Sequence, residues 1–194
     1  MLLFNKPLAW INEPASFRVE EDVIDIEAGA NTDLFCDPTG DVVFKNSPLL
    51  LFQADKHFQF SARLSADLKS KFDAAALVVY ANETCWAKLC FELSPEHKPT
   101  LVTVVTNKGL SDDCNHNVID TEPVHLRISG LGNGVFAFHI QEEEGWSLVR
   151  YFSLAHDRFR IGFSSQSPVG QSCLSWFRDP AYLEHKLQGL RTGK

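Results

Sequence analysis

Alternation of apolar and polar positions with period two recurs along most of this chain, and helical spacing is almost absent before the last dozen residues. Successive side chains of a strand point to opposite faces, so such a pattern predicts half-buried β-strands. Phe58-Gln59-Phe60-Ser61-Ala62-Arg63-Leu64 alternates in this way, Ala76 to Tyr80 is a continuous apolar run suited to a buried central strand, and Trp86 to Leu93 alternates again. These three are expected to be neighbours. Leu101 to Thr106, Val124 to Ser129, Val135 to Gln141 and Ser147 to Phe152 continue the series. Leu126 and Ile128 face inward opposite His125 and Arg127, and Phe136, Phe138 and Ile140 lie opposite Ala137 and His139.

Turn signals fall between the runs. Gly130-Leu131-Gly132-Asn133-Gly134 reads as a hairpin turn, because Gly and Asn accept positive φ cheaply. Glu142-Glu143-Glu144-Gly145 reads as a solvated hairpin tip. Phe159, Ile161 and Phe163 alternate with Arg158, Arg160 and Gly162, and Cys173 to Phe177 forms a closing strand that Asp179-Pro180 is expected to stop. Ala181 to Leu190 has room for a short terminal helix. Turns every eight to fifteen residues, with no long Pro/Ser linker and no internal repeat, predict one all-β domain over residues 1–194, a sandwich or barrel.

Within this pattern, Trp86-Ala87-Lys88-Leu89-Cys90-Phe91-Glu92 carries the most chemistry. Ala87, Leu89 and Phe91 share the core face, while Trp86, Lys88, Cys90 and Glu92 share the other. An aromatic, a cation and a carboxylate in one row could stack a sugar ring and hydrogen-bond its hydroxyls; equally, the indole could cover a strand edge while Lys88 and Glu92 form a cross-strand pair. Arg127 and His139 join this surface if their strands belong to the same sheet.

Composition narrows the classes of function. Of 194 residues 44% are hydrophobic, with 15 Phe, 4 Trp and 3 Tyr, which is ample for a core. The formal charge of −7 argues against a general nucleic-acid binder. No run approaches the length of a spanning helix, and the start of the chain lacks the basic and apolar pattern of a signal peptide, so a soluble cytoplasmic protein is expected. Five scattered cysteines fit reduced thiols, and Cys85 and Cys90 point to opposite faces of their strand.

Trp10-Ile11-Asn12-Glu13-Pro14, Thr32-Asp33-Leu34-Phe35, Phe72-Asp73-Ala74-Ala75-Ala76-Leu77-Val78-Val79, Cys85 to Glu92, Val104-Val105-Thr106, Ser111-Asp112 and Gly162-Phe163-Ser164-Ser165-Gln166-Ser167-Pro168 form an ordered string over nearly the whole chain. This string resembles a largely uncharacterised family with a concanavalin A-like jelly-roll fold that includes fungal proteins named for regulation of enolase. The resemblance implies two antiparallel sheets, one with a concave outer face on which related sandwiches bind or cleave polysaccharides. It also singles out Asp33 and Asp73, which could as well cap turns. The family usually carries a bulky aromatic such as tryptophan near Phe35, a glutamine where this chain has Ala74, and a tryptophan where it has Asp113. If those positions line the family's groove, the groove here is altered.

Other constellations are weaker. Val23-Ile24-Asp25-Ile26-Glu27 echoes the Glu-x-Asp-x-Glu strand of laminarinase-type glucanases, but Val23 replaces the nucleophile and the segment lies away from the groove strands. Asp112-Asp113-Cys114-Asn115-His116 is expected as a polar turn in preference to a calcium or zinc loop, and no metal or cofactor is expected. No nucleophile elbow, P-loop or dinucleotide fingerprint is present. The leading expectation is a binding module for a carbohydrate or small polar ligand through Trp86, Lys88, Glu92, Asp33, Asp73, Arg127 and His139. An intracellular regulator docking onto a metabolic enzyme such as enolase, and a glycosidase-like hydrolase, are the alternatives.

Overall fold

The computed structural model describes all 194 residues, and every regular element in it is a strand. In chain order these are β1 (Leu2–Leu3), β2 (Lys6–Pro7), β3 (Ala9–Ile11), β4 (Ser16–Val19), β5 (Val23–Gly29), β6 (Leu34–Cys36), β7 (Val43–Lys45), β8 (Leu49–Gln53) and β9 (His57–Ala66). They continue as β10 (Ala74–Asn82), β11 (Cys85–Leu93), β12 (Pro99–Asn107), β13 (Leu110–Val118), β14 (Val124–Gly132), β15 (Val135–Glu142), β16 (Gly145–Ser153), β17 (Arg160–Gln166) and β18 (Ser172–Leu183). No helix is long and apolar enough to cross a membrane.

Two seven-stranded antiparallel sheets form a sandwich: the first in the order β13-β12-β11-β10-β17-β8-β3, the second in the order β16-β15-β14-β9-β18-β5-β4. Their inner faces meet in a core of 31 buried residues. Ala75, Leu77, Val79, Leu89 and Phe91 enter it from the first sheet, and Phe60, Leu64, Ile128, Phe138 and Phe177 from the second. The period-two pattern is thus the imprint of this one interface, since only alternate residues can reach it. The expected hairpin closes with Gly132 opposite Val135. Its two turn residues, Asn133 and Gly134, both have positive φ, 53° and 72°, the pairing that a tight hairpin matched to strand twist requires.

Four expectations are corrected. The segment Phe58 to Leu64 lies in β9 of the second sheet, paired with β14 and β18, so it is not a neighbour of β10 and β11. The loop after it carries the chain from one sheet to the other. Asp179-Pro180 does not stop the last strand: the register shifts between Arg178 and Ala181, Asp179 takes φ 50°, and β18 runs on to Leu183. A bulge absorbs the residue that cannot donate to the ladder. No helix follows over 181–190. Asp112 to His116 are not a loop but the middle of β13, whose polar side chains suit an unpaired sheet edge.

A second, smaller cluster of 12 buried residues lies on the outer face of the first sheet. There β6 and β7 pair as a short hairpin, Leu34 opposite Lys45 and Cys36 opposite Val43. The hairpin buries Leu34 and Cys36 against Ala76, Val78, Trp86, Cys90, Val102 and Val104. Its position is tied by Ser111 Oγ, which accepts from the Cys36 amide at 2.9 Å, and by the Asp33 carbonyl, which accepts from the Asn46 and Ser47 amides at 3.0 and 3.1 Å.

Candidate functional site

The register places the side chains of β11 in rows across the outer face. Lys88 aligns with Val104 and Asp113 on one side and Val78 and Gly162 on the other; Glu92 aligns with Ala74 and Gln166. Between these rows sit Cys90, Ala76 and Ser164, all small. Large charged side chains at two levels with small ones between them leave a hollow. The hairpin roofs part of this hollow and leaves a cleft of about 420 Å³, within the range of small-molecule sites.

Phe35, Val42 and Phe44 of the hairpin segment form one wall of this cleft. Phe72, from the β9–β10 loop, and Pro168 and Val169, from the β17–β18 loop, form the other. Asp33, Lys88, Glu92, Val104, Asp113 and Gln166 line the remainder. At the mouth Phe72, Val42 and Val169 are exposed, so an apolar rim surrounds a charged floor. Phe72 holds φ 68°, which a bulky side chain adopts only when its surroundings impose it.

Lys88 is 3% exposed and donates to Asp33 Oδ1 at 2.9 Å and Gln166 Oε1 at 2.7 Å. An ammonium carries three donors, so one remains for a ligand. Burial works against the charge, but the neighbouring Asp33, Cys90 and Glu92, together with the Asp33 hydrogen bond, more than offset it, and the Lys88 proton is held more tightly than on an ordinary lysine. Gln166 is oriented from both ends, its amide nitrogen donating to the Phe72 carbonyl at 3.0 Å. Glu92 is 7% exposed, and its only hydrogen bond is a long one, 3.5 Å from Gln166 Nε2. Burial pushes its carboxyl up to about 8, with Lys88 countering and the charges of Asp33 and Asp113 adding to the rise. Burial also raises the Asp113 carboxyl, which Lys88 partly offsets.

The expected site residues therefore divide. Lys88, Glu92 and Asp33 come together in the cleft. Trp86 shares their face but is fully buried beneath the hairpin, its indole N–H without a partner, so it offers no surface on which a sugar could stack. Asp73, also fully buried, accepts from the Lys69 and Ser70 amides at 3.1 and 2.8 Å and from Ser167 Oγ at 2.7 Å. It fastens together the two loops that supply Phe72 and Val169 and takes no part in the cleft itself.

Arg127 and His139 do not join this surface, because β14 and β15 belong to the other sheet. Arg127 donates to Gln59 Oε1 at 3.0 Å and the Gly193 carbonyl at 2.7 Å, and its guanidinium lies 4.2 Å from the Trp146 ring centroid. His139 lies 2.8 Å from the Leu190 carbonyl, and burial pushes its ring down to about 4. Both hold the terminal segment against the second sheet. Asp25 is on that sheet too, paired with Arg178 at 2.6 Å, far from the cleft.

Sequence reasoning passed over Gln166 and Asp113 as site residues. The signal for Asp113 was present: it is one of three positions that the family resemblance set apart. Phe35 and Asp113 line the cleft and Ala74 lies in the cluster beneath it.

The architecture is a concanavalin A-like jelly-roll sandwich. The chain belongs to the family described as "Protein of unknown function (DUF1349)", which matches residues 10–184. A functionally unknown protein from Saccharomyces cerevisiae is similar in structure, with TM-score 0.81 and 22% identity over 92% of this chain and 96% of that one. A legume lectin-like domain from Entamoeba histolytica follows at TM-score 0.59 and 14% identity, covering 92% of this chain and 90% of its own. A xylan beta-1,4-xylosidase from Bacillus halodurans aligns at TM-score 0.63 and 16% identity over 84% of this chain but only 33% of the enzyme. No curated protein matches the sequence.

Proposed function

We propose that this chain is a binding protein whose cleft, roofed by the β6–β7 hairpin, takes a carbohydrate or another small polar ligand. The observation that carries the proposal is unused hydrogen-bonding capacity in an aromatic-walled cavity: the third donor of Lys88 and the nearly unpartnered carboxyl of Glu92, both buried at its floor. Buried polar groups are normally satisfied, and a bound hydroxyl-bearing molecule would satisfy these. The lectin-like and xylosidase neighbours share the fold and lend support to a sugar.

A hydrolase reading draws on Glu92 and Asp113 lining one cleft. They sit two strands apart and four residues apart along the strands, which places their Cα atoms on the order of 16 Å from each other. Carboxyl pairs of retaining glycosidases lie roughly 5–5.5 Å apart, closer than a Glu and an Asp side chain can bring their carboxyls from backbones this far apart, so the geometry does not support a retaining mechanism.

Calorimetry against neutral mono- and oligosaccharides tests the proposal. Binding is expected, weakened about tenfold or more in Glu92→Gln and in Phe35→Ala. A panel that gives no heat at millimolar sugar overturns the carbohydrate reading, and binding unchanged in both variants overturns the placement of the site in this cleft.

A further inference from the structure

The carboxyl groups around the cleft outnumber its cations. Asp33, Glu92 and Asp113 contribute three carboxyl groups and Lys88 a single cation, which is already committed to Asp33. Glu92 lies on the floor with one long hydrogen bond, while Asp113 stands on the edge strand two places across from Lys88. A neutral polyol can hydrogen-bond these groups but cannot pair with them in their ionised form. The walls add a second preference: Phe35, Phe72 and Val169 present aromatic and aliphatic surface between the floor and solvent. Aromatic faces attract cations, and an acidic floor below apolar walls favours a molecule with a charged head and an apolar body.

We propose that the cleft selects an organic ammonium, its cationic head placed on Glu92, with Asp113 adding attraction from a longer distance, and its apolar body against Phe35, Phe72 and Val169. The inference rests on the cleft being a ligand site and not on the ligand being a sugar. It carries a proton balance that a neutral ligand would lack. With no ligand Glu92 holds its proton at pH 7, since burial raises its carboxyl to about 8. A bound ammonium replaces that proton as the compensating charge, so the ligand keeps its own proton and the one on Glu92 passes to the buffer.

Calorimetry at pH 7, in two buffers of different ionisation enthalpy, would compare phenethylamine with its neutral counterpart phenethyl alcohol, and glucosamine with glucose. The amine is expected to bind about tenfold or more tightly than the alcohol, releasing close to one proton. Glu92→Gln should abolish the proton release and most of the amine's advantage. Asp113→Asn, a milder change on an exposed edge strand, should weaken the amine severalfold while proton release persists. Equal affinities for amine and alcohol, or an advantage unchanged in both variants, overturn the inference. Glucose bound as tightly as glucosamine, with no preference for phenethylamine, overturns it while leaving the carbohydrate reading standing. Phenethylamine bound when neither sugar binds does the reverse, and no binding by any of the four removes both.

Discussion

Lys88 shows how a residue whose position in the sequence marks it as a surface contact becomes internal. On its strand it alternates outward, as a solvent-facing charge would, and its cross-strand neighbours are Val78 and Val104. In the fold its partners are Asp33, 55 residues earlier, and Gln166, 78 residues later. Buried pairs stabilise little relative to apolar replacements, but losing one member leaves an uncompensated charge. Lys88→Met is therefore expected to destabilise the fold by about 3–5 kcal/mol. The double substitution Lys88→Met with Asp33→Asn should recover a good part of that loss, because no charge is left stranded. Urea unfolding of wild type, both single variants and the double variant measures the coupling. A loss below about 1 kcal/mol in Lys88→Met would show that Asp33 is well solvated without it.

At the scale of elements, the strands that build the central core were legible because each has one face in it. Ala74–Asn82, Cys85–Leu93 and Pro99–Asn107 carry enough alternating or continuous apolar residues to declare themselves. The elements that make the cleft were not. The strands β6 and β7 have three residues each, too few for a period to show, and their partner surface lies some forty residues further along the chain. For the same reason alternation placed Trp86 correctly on the outer face and left its burial invisible. The polar strand β13 failed differently: a sheet edge need not bury either face of a strand, so its composition matched that of a turn. The hairpin is held mainly by Leu34 and Cys36, both buried against the sheet. Leu34→Ala should cost about 2–5 kcal/mol and open residues 37–42 to limited proteolysis. A variant as stable and as resistant as wild type would mean that polar ties, not apolar contact, fasten the roof.

At the scale of the whole molecule, the two outer faces titrate in opposite senses. Glu92, under the hairpin on the first sheet, has its carboxyl raised from 4.5 to about 8 by burial. His139, under the terminal segment on the second sheet, has its ring lowered from 6.5 to about 4, also by burial. His125 beside it is lowered to about 4 as well, through burial and the nearby Arg63 and Arg127. Between about pH 4 and 6.5 the unfolded chain holds protons on both histidines that the folded chain lacks, so these groups make stability rise with pH. Between 4.5 and 8 the folded chain holds a proton on Glu92 that the unfolded chain has released, so this group makes stability fall as pH rises. The two histidines outweigh the single carboxyl up to about pH 6.5, and above that their contribution fades and the carboxyl's prevails. Stability is therefore expected to peak near pH 6.5 and to drop by on the order of 1 kcal/mol by pH 8.5. In Glu92→Gln the decline should vanish while the acid limb, set by His125 and His139, stays. Urea unfolding free energies at pH 5.5, 6.5, 7.5 and 8.5 would resolve both limbs. A wild type that is flat from 6.5 to 8.5, or a Glu92→Gln protein that declines just as steeply, would place the titrating group outside the cleft.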